Sequence, residues 1–122
     1  MSRVPTELSE QIVVVKALRQ AGILFCAVPN GGRRDRREAV MLKASGTVAG
    51  VPDILIFDET PVGAHVGTAL EMKRIDGKES HLSKSQRYWM LELEKRNWLC
   101  LVGFGATDAL TKLRQAGYEV RL

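Results

Sequence analysis

The sequence predicts an α/β fold in which one central mixed β-sheet is flanked by helices. Helix-like and strand-like segments alternate along the 122 residues. The runs ILFCAV and DILIF are short and continuously apolar, which is typical of strands buried on both faces. Two strand candidates also follow one another as a hairpin, so the sheet is expected to be mixed. No linker, repeat or low-complexity stretch divides the chain, and residues 1–122 are expected to form a single domain.

Turn and cap residues delimit elements in the order α-β-α-β-β-α-β-α-β. Gly22 and Gly117 each follow a helical segment, where glycine commonly ends a helix. The turn Pro29-Asn30-Gly31-Gly32 closes the first strand, and Ser83 with Gln86 has the spacing of a capping box. These signals predict helices over residues 6–21, 36–45, 83–96 and 106–116, and strands over residues 23–28, 53–57, 68–73, 98–103 and 118–122.

The composition is that of a soluble globular domain, with 45% hydrophobic and 26% charged residues. Nothing resembles a signal peptide, and the longest apolar run, residues 12–15, is too short to span a bilayer. A cytoplasmic location is therefore expected. Cys26 and Cys100 lie within apolar runs and are expected to be buried and unpaired. Together with His65 and His81 they do not supply a zinc site, and both histidines are expected to be solvated.

Positive charge is concentrated in the first part of the chain. The net charge is +4, and residues 1–50 hold eight Lys and Arg against four Asp and Glu, so the whole excess lies there. Arg33, Arg34, Arg36 and Arg37 crowd beside the predicted turn. Such a patch suits a polyanion such as nucleic acid. The alternative is a solvated basic turn that binds nothing.

The predicted hairpin brings two carboxylates and an ammonium group together. Asp53 opens one strand and Glu71-Met72-Lys73 closes the next, so these ends should meet at one edge of the pair. Because strand side chains alternate, Glu71 and Lys73 should share a face. A carboxylate pair with free oxygens suits a hard cation such as Mg²⁺ or Mn²⁺. The alternative is a surface hairpin with an ordinary Glu–Lys pair.

The first helix offers a third carboxylate. At about 100° per residue, Glu10 falls between Val13 and Val14, in the middle of the apolar arc. A carboxylate aimed at the core needs a partner, and a metal site beside the sheet would supply one. Glu7 borders the same arc, but it lies in the first turn, where an interaction with the helix dipole is sufficient. Glu10 is therefore preferred, with Glu7 as the alternative.

Six motifs in order resemble the virus-type replication-repair nuclease (VRR-NUC) domain of the PD-(D/E)xK nuclease superfamily. The resemblance runs from about residue 7 to residue 117, and its motifs are specific in combination. It implies the restriction-endonuclease-like core of that superfamily. The motifs are Glu10-Gln11, Pro29-Asn30-Gly31-Gly32, Leu42-Lys43 with Gly46, Gly50-Val51-Pro52-Asp53, Glu71-Met72-Lys73-Arg74, and Ser83 with Gln86.

The resemblance implies roles for individual residues of the site. Asp53 and Glu71 correspond to the metal-binding carboxylates, and the backbone carbonyl of Met72 would be a further ligand. Lys73 corresponds to the lysine that positions the attacking water. Glu10 would act through the metal or through water. Gln86 corresponds to a glutamine that lies near the site.

Other polar residues are candidates for contacts with DNA. The predicted turn and the arginines beside it suit phosphate contacts through backbone N–H groups and guanidinium groups. A tight turn that needs positive φ is the alternative interpretation of its glycines. Tyr88 and Trp89 are expected to pack in the core and not to stack on bases. The candidate DNA-binding residues are Asn30, Gly31, Gly32, Arg33, Arg34, Arg36, Arg37, Lys43 and Arg74.

The resemblance implies a metal-dependent, structure-selective DNA endonuclease that acts on branched DNA, with Holliday junctions first. Small stand-alone members of the family are viral or prophage proteins, which would place this chain in a bacterial host cell. Because junction resolution needs two active sites related by symmetry, a homodimer is expected. The alternatives are a monomeric flap or nicking nuclease and a non-catalytic DNA-binding module.

Overall fold

A computed structural model describes residues 3–29, 35–61 and 63–122. All four predicted helices are present, together with four of the five predicted strands and a short 3₁₀ helix. Within the described ranges, no helix combines the length and the apolar character that crossing a membrane requires. The elements are α1 (Glu7–Gln20), β1 (Phe25–Ala27), α2 (Arg36–Ala44), β2 (Ile54–Ile56), β3 (Gly67–Lys73), the 3₁₀ helix (Glu79–His81), α3 (Lys84–Lys95), β4 (Trp98–Phe104) and α4 (Ala106–Gln115).

The four strands form one sheet in the order β1-β2-β3-β4. The β1–β2 and β2–β3 pairs are antiparallel, whereas β3 and β4 are parallel and are joined by a connection that contains α3. The predicted mixed sheet is therefore confirmed. The β2–β3 register pairs Ile54 with Leu70, so the start of β2 lies beside the end of β3, as the hairpin argument requires.

Helices cover both faces of the sheet, two on one face and one on the other. Helices α1 and α4 pack on one face, where Leu70 and Met72 of β3 belong to the hydrophobic core. The approach of α4 to β4 is close: a Cβ atom on Gly103 would lie 2.5 Å from the Cβ of Ala109. Helix α3 lies on the opposite face, where Cys100 Sγ donates a hydrogen bond to the Met90 carbonyl at 3.4 Å. Side-chain alternation therefore turns Glu71 toward α3 and away from the core.

The predicted strand over residues 118–122 is absent. Tyr118 and Val120 are buried and the residues beside them are more exposed, an alternation that is typical of a strand. The Val120 N–H, however, is bonded locally to the Tyr118 carbonyl. The Tyr118 hydroxyl donates to the Asp58 carbonyl and lies 2.8 Å from Thr68 Oγ1. Side-chain anchoring of this segment takes the place of strand pairing.

Strand β1 is less buried than its apolar sequence predicts. It is an edge strand of the described sheet, and α3 packs over β4 and not over β1. Cys26 is consequently exposed, and the prediction that both cysteines are buried was wrong for this residue. Cys100 is partly buried: burial, followed by the charge of Glu94, raises the pKa of its thiol to about 11.

Helix α2 and the outer side of α3 are also more exposed than expected. Asp35 caps α2 by accepting from the Glu38 N–H at 2.7 Å, but α2 has no buried residue. Its Val40 and Met41 are 62% and 68% exposed. On α3, Trp89 is partly buried, as predicted, whereas Tyr88 is exposed and does not pack in the core.

Candidate active site

Asp53 and Glu71 face each other across the β2–β3 pair. Asp53 immediately precedes β2, and the register that pairs Ile54 with Leu70 places Asp53 opposite Glu71. The Asp53 carboxylate is held in place because its Oδ2 accepts from the Met72 N–H at 2.7 Å. The structure therefore brings together the two carboxylates that the hairpin predicted.

Glu71 is a buried carboxylate with unused hydrogen-bonding capacity. The residue is 3% exposed. Its Oε2 accepts from Gln86 Nε2 at 3.0 Å and lies 3.8 Å from Lys73 Nζ. Its Oε1 is buried and has no hydrogen-bond partner among the described residues. Because a buried acceptor without a partner costs roughly 1–3 kcal/mol, this oxygen is suited to a ligand that the polypeptide does not supply.

The surroundings of Glu71 favour its protonated form when no cation is bound. Burial, followed by the charge of Asp53, raises the pKa of Glu71 from 4.5 to about 8. The charge of Lys73 opposes this rise, and the charge of Glu7 adds to it. Two adjacent carboxylates that resist being charged together are a favourable setting for a divalent cation.

Lys73 and Gln86 complete the cluster on the α3 side. The Lys73 side chain is 13% exposed, and its Nζ donates to Gln86 Oε1 at 3.3 Å. Gln86 also forms the predicted capping box: its Oε1 accepts from the Ser83 N–H at 2.8 Å, and the Ser83 Oγ accepts from the Gln86 N–H. The cap thus orients the amide with its oxygen toward Lys73 and its nitrogen toward Glu71.

Glu10 lies against α4, and its carboxylate does not join the pair of carboxylates. Helix α4 begins after Gly105, which has no side chain to cap it, and Glu10 Oε2 accepts a hydrogen bond from the Ala106 N–H. The N-terminus of α4 thus engages the charge of Glu10, and a role of Glu10 at a metal stays a prediction. Glu7 is the α1 carboxylate whose charge acts on Glu71.

An open cleft adjoins Lys73. Its volume is about 380 Å³. Arg74 is held within it by two hydrogen bonds to the Asp76 carboxylate, at 2.8 and 3.0 Å. His81 is exposed, as predicted, and its Nδ1 accepts from the Lys78 N–H. The lining residues are Glu7, Lys73, Arg74, Asp76, Gly77 and His81.

Comparison with solved structures connects this geometry to a known fold. A protein described as "VRR_NUC domain protein" superposes with a TM-score of 0.73, covering 95% of this chain and 91% of that chain at 22% sequence identity. This chain has the VRR-NUC fold. The fold indicated by the motif resemblance is therefore confirmed. No family model matches the sequence, and no curated protein matches it closely enough to count.

Of the nine residues predicted to contact DNA, the structure describes four. Arg36, Arg37 and Lys43 are exposed on α2, and Arg74 is paired with Asp76 in the cleft. The remaining candidates lie outside the described residues; they are Asn30, Gly31, Gly32, Arg33 and Arg34.

The donor set suits a divalent metal. The described residues contain no group of three or more His, Cys, Asp and Glu arranged to hold a metal ion. Asp53 and Glu71 are nevertheless adjacent, and Glu71 Oε1 is a buried acceptor with no partner in the described part of the chain. Oxygen donors of this kind are those that Mg²⁺ and Mn²⁺ prefer.

The two glutamates of α1 are expected to differ in their effect on stability. Glu10→Ala should lower the free energy of unfolding by about 1–2 kcal/mol, because the first N–H of α4 is deprived of its acceptor while Gly105 supplies none. The matched variant Glu7→Ala should change it by less than about 0.5 kcal/mol, because Glu7 is exposed. Urea unfolding followed by circular dichroism measures both values. Equal destabilisation by the two variants would contradict the assignment of Glu10 to α4.

Proposed function

We propose that this chain is a divalent-metal-dependent nuclease that hydrolyses phosphodiester bonds in DNA. The observation that supports it most strongly is the buried Glu71 beside Asp53, with Lys73 and Gln86 on the same face. A carboxylate with an unpartnered buried oxygen has little structural value, whereas it is well suited to a cation-dependent reaction. The fold shared with a VRR_NUC domain protein supports the same proposal.

Asp53, Glu71 and the backbone carbonyl of Met72 would hold the ion, Mg²⁺ or Mn²⁺. Such an ion, when bound, supplies an activated water and an electrophile for the phosphoryl oxygens. The polypeptide prepares both carboxylates for this role. The Met72 N–H orients Asp53, and the Gln86 amide orients Glu71. Burial excludes solvent from Glu71 and so strengthens its interaction with a cation.

Lys73 would act on the substrate. An ammonium group has three N–H donors, and Gln86 accepts one of them at 3.3 Å. The remaining donors are available to a phosphate oxygen and to the attacking water. Because Lys73 lines the open cleft, a phosphodiester can reach it from solvent. The exposed Glu7 on the same cleft is the α1 carboxylate best placed to assist, in place of Glu10.

The basic residues before and within α2 would bind the phosphate backbone. Arg36 and Arg37 are exposed in the first turn of α2. Neutralising them together with Arg33 and Arg34 is expected to weaken binding of all DNA sequences alike. Removal of each arginine–phosphate interaction should reduce the slope of log K against log salt by about 0.9. Fluorescence anisotropy across a salt series measures this slope, and an unchanged slope would mean that the arginines are merely solvated.

We further propose that the enzyme is a homodimer of phage or prophage origin that acts on branched DNA, Holliday junctions above all. Paired cuts in opposing strands require two sites related by symmetry. Val40 and Met41 are exposed on the same helix as Arg36 and Arg37, so they suit a surface between two copies near these arginines. A single domain over residues 1–122 and a location in the host cytoplasm belong to the same proposal.

The deciding experiment is cleavage of four-way junction, flap, nicked and linear duplex DNA in the presence of Mg²⁺ or Mn²⁺. Sedimentation is measured at the same protein concentration. A dimer that prefers junctions supports the proposal. A monomer that cuts flaps or nicks equally well would replace it with the monomeric nuclease. A chain that binds DNA but cleaves none of these substrates with either metal would be a non-catalytic binding module.

A further inference from the structure

The outer face of α3 carries an exposed stripe of two cations and two large apolar side chains. Lys84, Arg87, Tyr88 and Leu91 are spaced i, i+3, i+4 and i+7, so they share one side of the helix. Tyr88 and Leu91 are each 59% exposed. None of the four belongs to the hydrophobic core of the described residues, so packing within the fold does not explain the stripe.

The cations of this stripe are not neutralised within the described residues. No carboxylate in residues 3–29, 35–61 or 63–122 forms an ion pair with Lys84 or Arg87. Arg87 donates only a weak hydrogen bond, 3.4 Å long, to the Glu79 carbonyl. By contrast, Lys95 and Arg96 at the other end of α3 both pair with Glu92.

The position of Lys84 and Arg87 on the helix is unfavourable for folding. Both lie at the start of α3, whose first turn contains no acidic residue. The positive end of the helix dipole disfavours cations there. Two unpaired cations at the unfavourable end, beside an exposed tyrosine, match a surface that attracts an anionic partner with aromatic groups.

The stripe begins beside the proposed active site. Gln86, which contacts Glu71 and Lys73, lies in the same helical turn as Lys84 and Arg87. Gln86 faces the sheet and Tyr88 faces solvent, so the two side chains are separated by about the 10 Å diameter of a helix. A nucleic-acid strand whose phosphodiester reaches Lys73 can cover that separation within a few nucleotides.

We propose that the outer face of α3 binds the DNA strand next to the cleavage site, with Tyr88 stacked on an unpaired base and Lys84 and Arg87 on phosphates. The inference rests on the proposed function and names its substrate class. In a continuous duplex, neighbouring bases cover each base face, so a tyrosine stacks readily only where a base face is free, as in a single strand or at a branch point. The surface therefore selects DNA with single-stranded or branch-point nucleotides.

The first test is binding of single-stranded oligothymidylate by the full chain in EDTA, which prevents cleavage. Tyr88→Ala is expected to weaken binding about tenfold, the usual order for loss of one stacked base. Tyr88→Phe should bind as the wild type does, because the ring is kept. Leu91→Ala is the matched control: it removes an equally exposed side chain from the same stripe and should bind normally.

Two further readouts separate stacking from a general structural effect. Lys84→Gln and Arg87→Gln should each reduce the salt slope of binding by about 0.7, the value for single strands. Bromouracil-substituted oligonucleotide should cross-link to Tyr88 on irradiation, and mass spectrometry locates the adduct. Cross-linking confined to other residues would contradict the proposal.

Several results would overturn the inference and leave the proposed function standing. Wild-type cleavage of DNA together with normal oligothymidylate binding by Tyr88→Ala would show that α3 makes no stacking contact. Equal weakening of binding in Tyr88→Ala and Leu91→Ala, with a lower sedimenting mass, would make the face a contact between copies. Conversely, Tyr88-dependent binding without any cleavage by the wild type would sustain α3 as a surface that binds single strands and would reject the nuclease.

Discussion

Asp53→Ala and Glu71→Ala are each expected to reduce DNA cleavage by roughly 10³-fold or more. Truncation of one carboxylate removes a ligand of the metal, which would supply several kcal/mol of transition-state stabilisation. A loss of about 4 kcal/mol corresponds to a decrease of about 10³-fold in rate. Binding of DNA should be largely retained, because the carboxylates are assigned to the ion and not to phosphate. Single-turnover cleavage of a labelled junction in Mg²⁺ measures the decrease in rate, and anisotropy measures the binding.

The control for this experiment is Glu119→Gln, which neutralises an exposed carboxylate outside the candidate site. It should cleave at the wild-type rate. Isothermal titration with Mn²⁺ should in addition show weaker metal binding by Asp53→Ala than by the control. Substantial turnover by either alanine variant would remove the proposed site, whatever its effect on metal binding.

The stability of the metal-free protein is expected to fall as pH rises from about 4.5 to about 8. The pKa of Glu71 is raised from 4.5 to about 8 by burial and by the charge of Asp53, so the folded state retains a proton that the unfolded state releases. The contribution of Glu71 to the free energy of unfolding is fully present below its pKa in the unfolded state, about 4.5. It is lost as the pH rises toward its pKa in the folded state, about 8. One such proton changes the free energy of unfolding by at most about 1.4 kcal/mol per pH unit.

Glu71→Gln isolates this contribution, because the amide does not ionise. Urea unfolding in EDTA at several pH values should show a shallower decline for Glu71→Gln than for the wild type between pH 4.5 and 8. Mg²⁺ should stabilise the wild type more at pH 8 than at pH 5, since binding must displace the proton. Parallel pH profiles of the two proteins would contradict the assignment of a protonated Glu71.

The candidate cluster of Asp53, Glu71, Lys73 and Gln86 could be predicted from local patterns because its geometry is largely local. A short hairpin sets Asp53 against Glu71, and side-chain alternation places Lys73 on the same face. The Ser83 and Gln86 spacing predicted a cap, and the cap is what holds the Gln86 amide beside them. These relations depend on strand pairing and helix geometry, which the residue order largely determines.

The partners of α1 could not be predicted in the same way. Helical periodicity correctly turned Glu10 inward, but its acceptor role depends on Ala106, 96 residues away along the chain. The signal for it was indirect: a glycine before a helix start leaves N–H groups that need an external acceptor. Which carboxylate meets that need depends on how α1 and α4 cross, and no local pattern encodes the crossing.

The burial of individual side chains also depends on the tertiary structure and not on local patterns alone. Local periodicity, caps and turns were sufficient to predict the helices, the four paired strands and the faces that their residues share. The exposure of Cys26 and Tyr88, and the side-chain anchoring of residues 118–122 in place of strand pairing, emerged only from the folded arrangement. The physical reason is that periodicity identifies which side chains lie together, whereas their burial depends on which distant element covers them.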